Sequence, residues 1–334
     1  MVKKYISINR QLDILKKRNL NIDFQERARQ QLEEFGYYEI VTANSFPFID
    51  SNSNESYFVA GTSFEDLYLV FNTDRKLRNT LMLACDYFES SFRQAIVRAW
   101  CAEYGSNQLK YLNIANFRSP RNNPGKLQRL ITTFAKIALT STDNPYKSSR
   151  EQDHNIPPWI LVKGVDFGTL RSWYSLLKPN LKNAVIKDML TDTLYKSLTL
   201  DESKKLFSNS LVLINQFRNR AAHGGQIYSF APKQNDGRPI IPYVSSFHTS
   251  HNITQSDYNS GFGQTGIWTL NSVLDTLKYR SSFNTLNIYL TTEFNSILNI
   301  LPTLRRYMQN RSYIADPNYG LVEYTQLHLD TDEN

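Results

Sequence analysis

Two cysteines in 334 residues cannot build a disulfide framework. Cys85 and Cys101 both fall in a helical pattern, where they read as small core residues rather than a bridge or a metal pair. Thirteen glycines and twelve prolines are too few for collagen-like or low-complexity chain. No apolar run reaches transmembrane length without charges. The opening Met1-Val2-Lys3-Lys4 leads into no apolar segment of the kind a secretory signal carries. A soluble protein of the reducing cytoplasm is expected. Histidine is scarce, with five copies. His248 and His251 share a polar stretch, with too few further ligands in view for a metal site. No metal and no cofactor is expected.

Acid is also missing where it might be expected. From Tyr104 to Thr142 there is no Asp or Glu, while Lys110, Arg118, Arg121, Lys126, Arg129 and Lys136 all occur. The first thirty residues are likewise rich in Lys and Arg, including Lys16, Lys17 and Arg18. The net charge is +7 and the pI about 9.2. Such a surface favours polyanions, whether RNA, DNA or an acidic membrane face, and both segments are candidate contacts for an RNA backbone. The bland alternative is a solvated basic face. Aromatic content is high at 13%. Trp159, Phe167 and Trp173 are expected in the core rather than as stacking platforms for bases.

The periodicities are helical. Residues 7–18 form a basic amphipathic helix. Asp23 reads as the cap of a helix over 24–35, ended by Gly36. Residues 49–62 read as a loop. Asp74 opens the clearest helix, with Leu77, Leu81, Ala84, Cys85, Phe88, Phe92, Ala95 and Ala99 on one face and Gly105 at its end. Further helices are expected near 125–140, 158–178, 181–190, 201–223, 266–278 and 282–309. The helix over 201–223 has Thr199 or Asp201 as its cap. Residues 141–157 read as a loop, and 229–264 as an inserted loop or small β-hairpin. The fold class is all-α, a helical bundle. A basic N-terminal helical extension covers 1–60, the main helical domain 61–310 and a polar tail 311–334.

The run Arg218-Asn219-Arg220-Ala221-Ala222-His223, closed by Gly224-Gly225, is the chemical signal. RNA carries its own nucleophile, the 2′-hydroxyl. A His can move the protons, and an Arg can hold the phosphate and the charge it gains. No metal is needed. Arg218 and His223 stand five residues apart, about 140° around an ideal helix. They converge only if His223 sits at the end of the helix, where the glycines stop it. Plain capping of a helix C-terminus explains the same residue types equally well.

The segment from Phe217 to His223 resembles the Arg-x-x-x-x-His motif of HEPN ribonucleases. The wider chain resembles the abortive-infection D/F (Abi-like) family of bacterial phage-defence proteins. The resemblance runs through Leu15-Lys16-Lys17-Arg18-Asn19-Leu20, Tyr37-Tyr38, Phe46-Pro47-Phe48 and Asp74-Arg75-Lys76-Leu77-Arg78. It continues through Glu89 with Arg93, Pro158-Trp159, and Asp166-Phe167-Gly168-Thr169-Leu170. The chain departs from the family pattern at Lys163-Gly164 and at Gly224-Gly225-Gln226. The resemblance implies a HEPN-like bundle and a metal-independent endoribonuclease serving as the toxic effector of abortive infection. It also implies a homodimer with a composite site, and a structured noncoding RNA as partner. Arg218, His223 and Asn219 would be catalytic, with Glu89, Arg93 and Arg220 in support and no membrane involved. The competing reading is a non-catalytic protein that sequesters a structured RNA.

Overall fold

The computed structural model describes residues 5–50, 56–119, 123 and 125–311. Residues 312–334 of the expected 311–334 tail, and Arg121, lie outside the described residues. The fold is all-α, and no strand or sheet occurs among the described residues. Two N-terminal helices, α1 (Ile8–Lys17) and α2 (Gln25–Phe35), bury Leu12, Leu15, Ala28 and Leu32. Asp23 does not cap α2. Phe24 holds that position without a side-chain bond, and Gly36, at φ +84°, ends the helix.

The axis of the fold is α3 (Phe64–Tyr104), 41 residues and about 60 Å long. No Gly or Pro interrupts residues 62–104. The helix starts ten residues before Asp74, because Ser63 and Asp66 form a capping box there: Asp66 N–H donates to Ser63 Oγ, and Ser63 N–H to Asp66 Oδ2. Asp74 is therefore an interior residue, 2% exposed. Gly105, at φ +71°, ends the helix. The whole expected stripe from Leu77 to Ala99 is buried.

Four helices follow: α4 (Gln108–Leu112), α5 (Gly125–Ala135), α6 (Tyr146–Asp153) and α7 (Pro158–Leu161). The stretch 141–157 is thus a loop only at its ends. Then come α8 (Phe167–Leu176), α9 (Pro179–Met189), α10 (Asp192–Ser197) and α11 (Leu200–Ala222). Asp166 caps α8 through Thr169 N–H at 2.6 Å, which splits the expected 158–178 helix. Thr199, with Glu202, makes the capping box of α11. The segment 229–264 holds α12 (Ser245–Thr249), α13 (Gln255–Asn259) and a single antiparallel bridge, Lys233 with Pro239. The chain closes with α14 (Ile267–Asp275), α15 (Ser281–Tyr289), α16 (Asn295–Ile300) and α17 (Pro302–Asn310). Pro302 breaks the expected 282–309 helix, since a ring at that position cannot continue the preceding turn.

Helices α9, α11 and α15 pack along α3. Helices α3, α8 and α11 meet in an aromatic core in which Phe92 meets Tyr174 at 5.6 Å and Phe207 at 5.9 Å, and Trp100 meets Trp173 at 5.8 Å. Edge-to-face pairs of this kind add roughly 0.5–1.5 kcal/mol each beyond their burial. Phe167 and Trp173 lie in this core, but Trp159 is 46% exposed. Cys85 and Cys101 are both free. Burial, with Glu89 adding to it and Arg218 opposing, pushes the Cys85 thiol up to about 12, so it behaves as packing. Among the described residues, no helix is long and apolar enough to cross a membrane.

Candidate functional site

The C-terminal end of α11 is built to stop. Leu206, Leu213, Ile214, Phe217 and Ala221 bury one face of the helix. His223 is its C-cap. Gly224, at φ +72°, takes the left-handed position that a side chain would disfavour. Its N–H reaches Ala221 O at 3.1 Å, and Gly225 N–H reaches Arg220 O at 2.9 Å. These two bonds form a Schellman motif, which satisfies the last carbonyls and turns the chain sharply away. His223 is left exposed at the turn.

The backbone beyond the turn is pinned from two sides. The buried Asp74 carboxylate accepts Ile227 N–H at 2.8 Å and Tyr228 N–H at 2.9 Å, and pairs with Arg78 at 2.5 Å. Burial pushes the Asp74 carboxyl up, while the two backbone N–H groups, Arg78 and Arg220 work against that push. Gln226 Nε2 donates to Ala43 O at 2.7 Å and Asn44 Oδ1 at 2.9 Å, tying the turn to the segment after α2. Arg220 lies over Gly225, where an added Cβ would collide with its Nε. That Nε donates to Gln226 O at 3.2 Å, and the guanidinium rests 5.4 Å from the Phe230 ring centre.

These residues enclose a cleft of about 410 Å³, with His223, Arg220, Arg78 and Asp74 in its wall. Arg218 and Asn219 do not line it. Asn219 is exposed, and its carbonyl accepts His223 N–H at 3.1 Å. Arg218 points toward α3, where its Nε stands 3.5 Å from Glu89 Oε1. Arg93 holds the other Glu89 oxygen at 3.0 Å, and also donates to Val165 O at 3.4 Å. Burial pushes the Glu89 carboxyl up, against the pull of Arg93 and Arg218 and with help from Asp86. Arg93, Glu89 and Arg218 thus form one chain of charges, and His223 with Arg220 forms a second group around the helix end.

The basic residues divide as well. Lys16 donates to Gln25 at 2.6 Å and Arg18 to Ser56 O at 2.6 Å, so both are tied locally, while Lys17 is exposed. Lys110 is exposed on α4. Lys126 and Arg129 line a hollow beside α8, and Arg118 lies close enough to Lys182 to act on its charge. Sequence patterning did not reveal Asp74, Arg78, Gln226 and Asn44 as the frame of the cleft. An Asp inside a helix with Arg four residues on was the available sign. Among the described residues, no group of three or more His, Cys, Asp or Glu is placed to hold a metal ion.

The profile of a protein family described as Abi-like protein matches residues 30–229. The chain belongs to the Abi-like family. The match runs from within α2 to just past the α11 turn, and so takes in both charge groups and the cleft. Membership places the chain among proteins of abortive-infection phage defence. No curated protein and no solved structure shows significant similarity to it.

Proposed function

We propose that this Abi-like chain is a metal-independent endoribonuclease of HEPN type, the toxic effector of an abortive-infection system acting in the cytoplasm. The observation that carries the reading is His223, exposed at the Schellman-terminated end of α11 beside Arg220 and Arg78, with Arg218 of the same helix held by Glu89 of α3. In the reaction, the RNA 2′-hydroxyl attacks the adjacent phosphorus. A new O–P bond forms as the bond to the next nucleotide's 5′-oxygen breaks. One imidazole takes the 2′-proton, and a second, protonated one delivers a proton to the departing oxygen. The ends are a 2′,3′-cyclic phosphate and a 5′-hydroxyl. Arg side chains hold the phosphate and the charge gained in the pentacoordinate state.

A single His223 supplies one proton carrier, so two copies of the chain are proposed to share one site, each contributing Arg218 and His223. Asn219 faces solvent next to them and is assigned to orientation. Lys16, Lys17, Lys110, Arg118, Lys126 and Arg129 are assigned to the backbone of a noncoding RNA that regulates the enzyme.

The test is cleavage of a labelled RNA in EDTA, beside a DNA of the same sequence. RNA is expected to be cut to cyclic-phosphate ends and DNA to stay whole. Arg218→Ala and His223→Ala are expected to fold, to dimerise by light scattering and to cut nothing. Cleavage of the DNA, or full activity in both variants, would overturn the assignment. Salt-sensitive RNA binding with no cleavage under any condition would select sequestration instead.

A further inference from the structure

A second concave site lies far from His223. It is a pocket of about 260 Å³ between α5, α8, α9 and α11, lined by Lys126, Arg171 and Lys182 with the hydroxyls of Ser172, Ser175 and Ser208. Among the described residues, no acidic one lines it. Ser208 is fifteen residues before His223 on α11, about 22 Å along the helix axis. We propose that this pocket binds a terminal phosphate monoester, the end group of a nucleotide or of an RNA strand.

The charge count favours an end group over an internal phosphate. Three cations face a space with no counter-ion among the described residues, and Arg118 and Lys204 add to the field from outside. An internal diester brings one negative charge, whereas a monoester near neutral pH brings nearly two. None of Lys126, Arg171 and Lys182 makes an ion pair among the described residues; Lys182 instead lies 5.8 Å from the Tyr174 ring centre. Burial, then Arg118, Lys126 and Lys204, pulls the Lys182 ammonium down to about 8. Burial, then Arg171 and Arg129, lowers Lys126 too. Cations held so close without compensation are under repulsion that an anion relieves. The serines act as walls: Ser172 and Ser175 spend their protons on the α8 carbonyls of Gly168 and Ser172, and Ser208 is hydrogen-bonded to the Tyr174 hydroxyl. Contact with the anion therefore falls to the Arg171 guanidinium and the two ammonium groups.

The pocket also has a continuation. A second hollow of about 490 Å³ shares Lys126, Gly168 and Ser172 with it, and adds Arg129, Thr133 and Thr169. Asp166 is on its rim, with Oδ1 occupied by Thr169 N–H. A phosphate in the first space can have its nucleoside in the second.

The inference does not depend on cleavage, so it is tested on the His223→Ala chain. A short fluorescent RNA is compared with a 5′-phosphate, with a 3′-phosphate and with hydroxyls at both ends. One phosphorylated end is expected to bind about tenfold tighter than the hydroxyl form, the worth of one or two charge-assisted bonds. Arg171→Ala and Lys182→Met are expected to erase that preference. Lys182→Met removes a repelled charge, so its fold is secure. Adenosine monophosphate, competing as well as the strand and raising Tm, assigns the site to free nucleotides; failure of the nucleotide with success of the strand assigns it to an RNA end. Equal binding of all three strands, with Tm unmoved by the nucleotide, overturns the proposal. So does a Tm rise with inorganic phosphate and none with any ester.

Discussion

Removal of the Asp74 carboxylate tests the frame that presents His223. Asp74→Ala strips the acceptor from the N–H groups of Ile227 and Tyr228, and leaves Arg78 without its partner. An orphaned buried N–H costs about 1–3 kcal/mol, and breaking a buried ion pair about 3–5 kcal/mol. The Arg78 side chain is 15% exposed and can find water, so its share lies at the low end. Loss of the desolvation cost of Asp74 itself offsets part of the damage. The expected net is about 3–5 kcal/mol for Asp74→Ala, and about 1–3 kcal/mol for Asp74→Asn, whose amide oxygen still accepts from backbone. The assay is urea unfolding, in which the midpoint falls with an unchanged slope. Hydrogen exchange at Ile227 and Tyr228 is expected to rise in both variants, more in Asp74→Ala. RNA cleavage is expected to fall although neither Arg218 nor His223 is altered. A loss below about 1 kcal/mol, well under the cost of even two orphaned N–H groups, would show that Asp74 does not fix the turn.

Other perturbations separate the remaining elements. Thr199→Ala removes the α11 capping box and is expected to cost about 1 kcal/mol by the same unfolding assay, without changing cleavage per folded molecule. Gly225→Ala drives a methyl into Arg220 and is expected to give the same cleavage defect as Arg220→Ala, with the double variant no worse than either; additive defects would refute the shared cause. Lys182 titrates near 8 in the folded chain against an ordinary 10.5. Between those values the unfolded chain binds a proton that the native one lacks, so wild-type stability rises with pH across that window relative to Lys182→Met. Below it both states are charged and the penalty is constant, so the variant melts higher at pH 7, and a Tm gap that does not narrow by pH 10 would contradict the burial and repulsion assigned to Lys182.

Helices were legible where one face repeats. The α3 stripe from Leu77 to Ala99 and the α11 stripe from Leu206 to Ala221 follow from spacing alone, as does the stop at Gly224. Boundaries failed where a charge served tertiary structure. Asp74 looked like a first-turn acid, because acids favour helix starts. Besides Arg78 its partners are N–H groups more than 150 residues away, and no local pattern encodes those. The true start, Ser63 with Asp66, carries an ordinary capping-box signal next to a polar stretch that masks it. Trp159 shows the same limit: large apolar residues default to the core, yet its burial depends on which neighbours arrive. The anion pocket was half visible. Lys126 and Arg129 stood out in an acid-free window, whereas Arg171 is the lone charge of α8 and Lys182 shares α9 with Lys187 and Asp188, and both join the pocket only through packing.

The geometry around α11 also bears on why the two positions assigned to catalysis look separate. Arg218 faces Glu89 on α3, and His223 opens into the Asp74–Arg78 cleft. Rotating one toward the other within a single chain would break either the Glu89 ion pair or the Schellman turn. Both are reinforced, the first by Arg93 and the second by Asp74, Gln226 and Gly225. A phosphate touching both groups is therefore reached more cheaply by apposing two helix ends than by distorting one. In the proposed dimer a second copy would bring a second exposed His223 to the same phosphate, so that the proton taken from the 2′-hydroxyl and the proton given to the 5′-oxygen would come from different chains. On that account a heterodimer of His223→Ala with wild type keeps one proton carrier and both Arg218 side chains. It should retain phosphate binding and lose most of its rate, whereas a site complete within each chain would keep half.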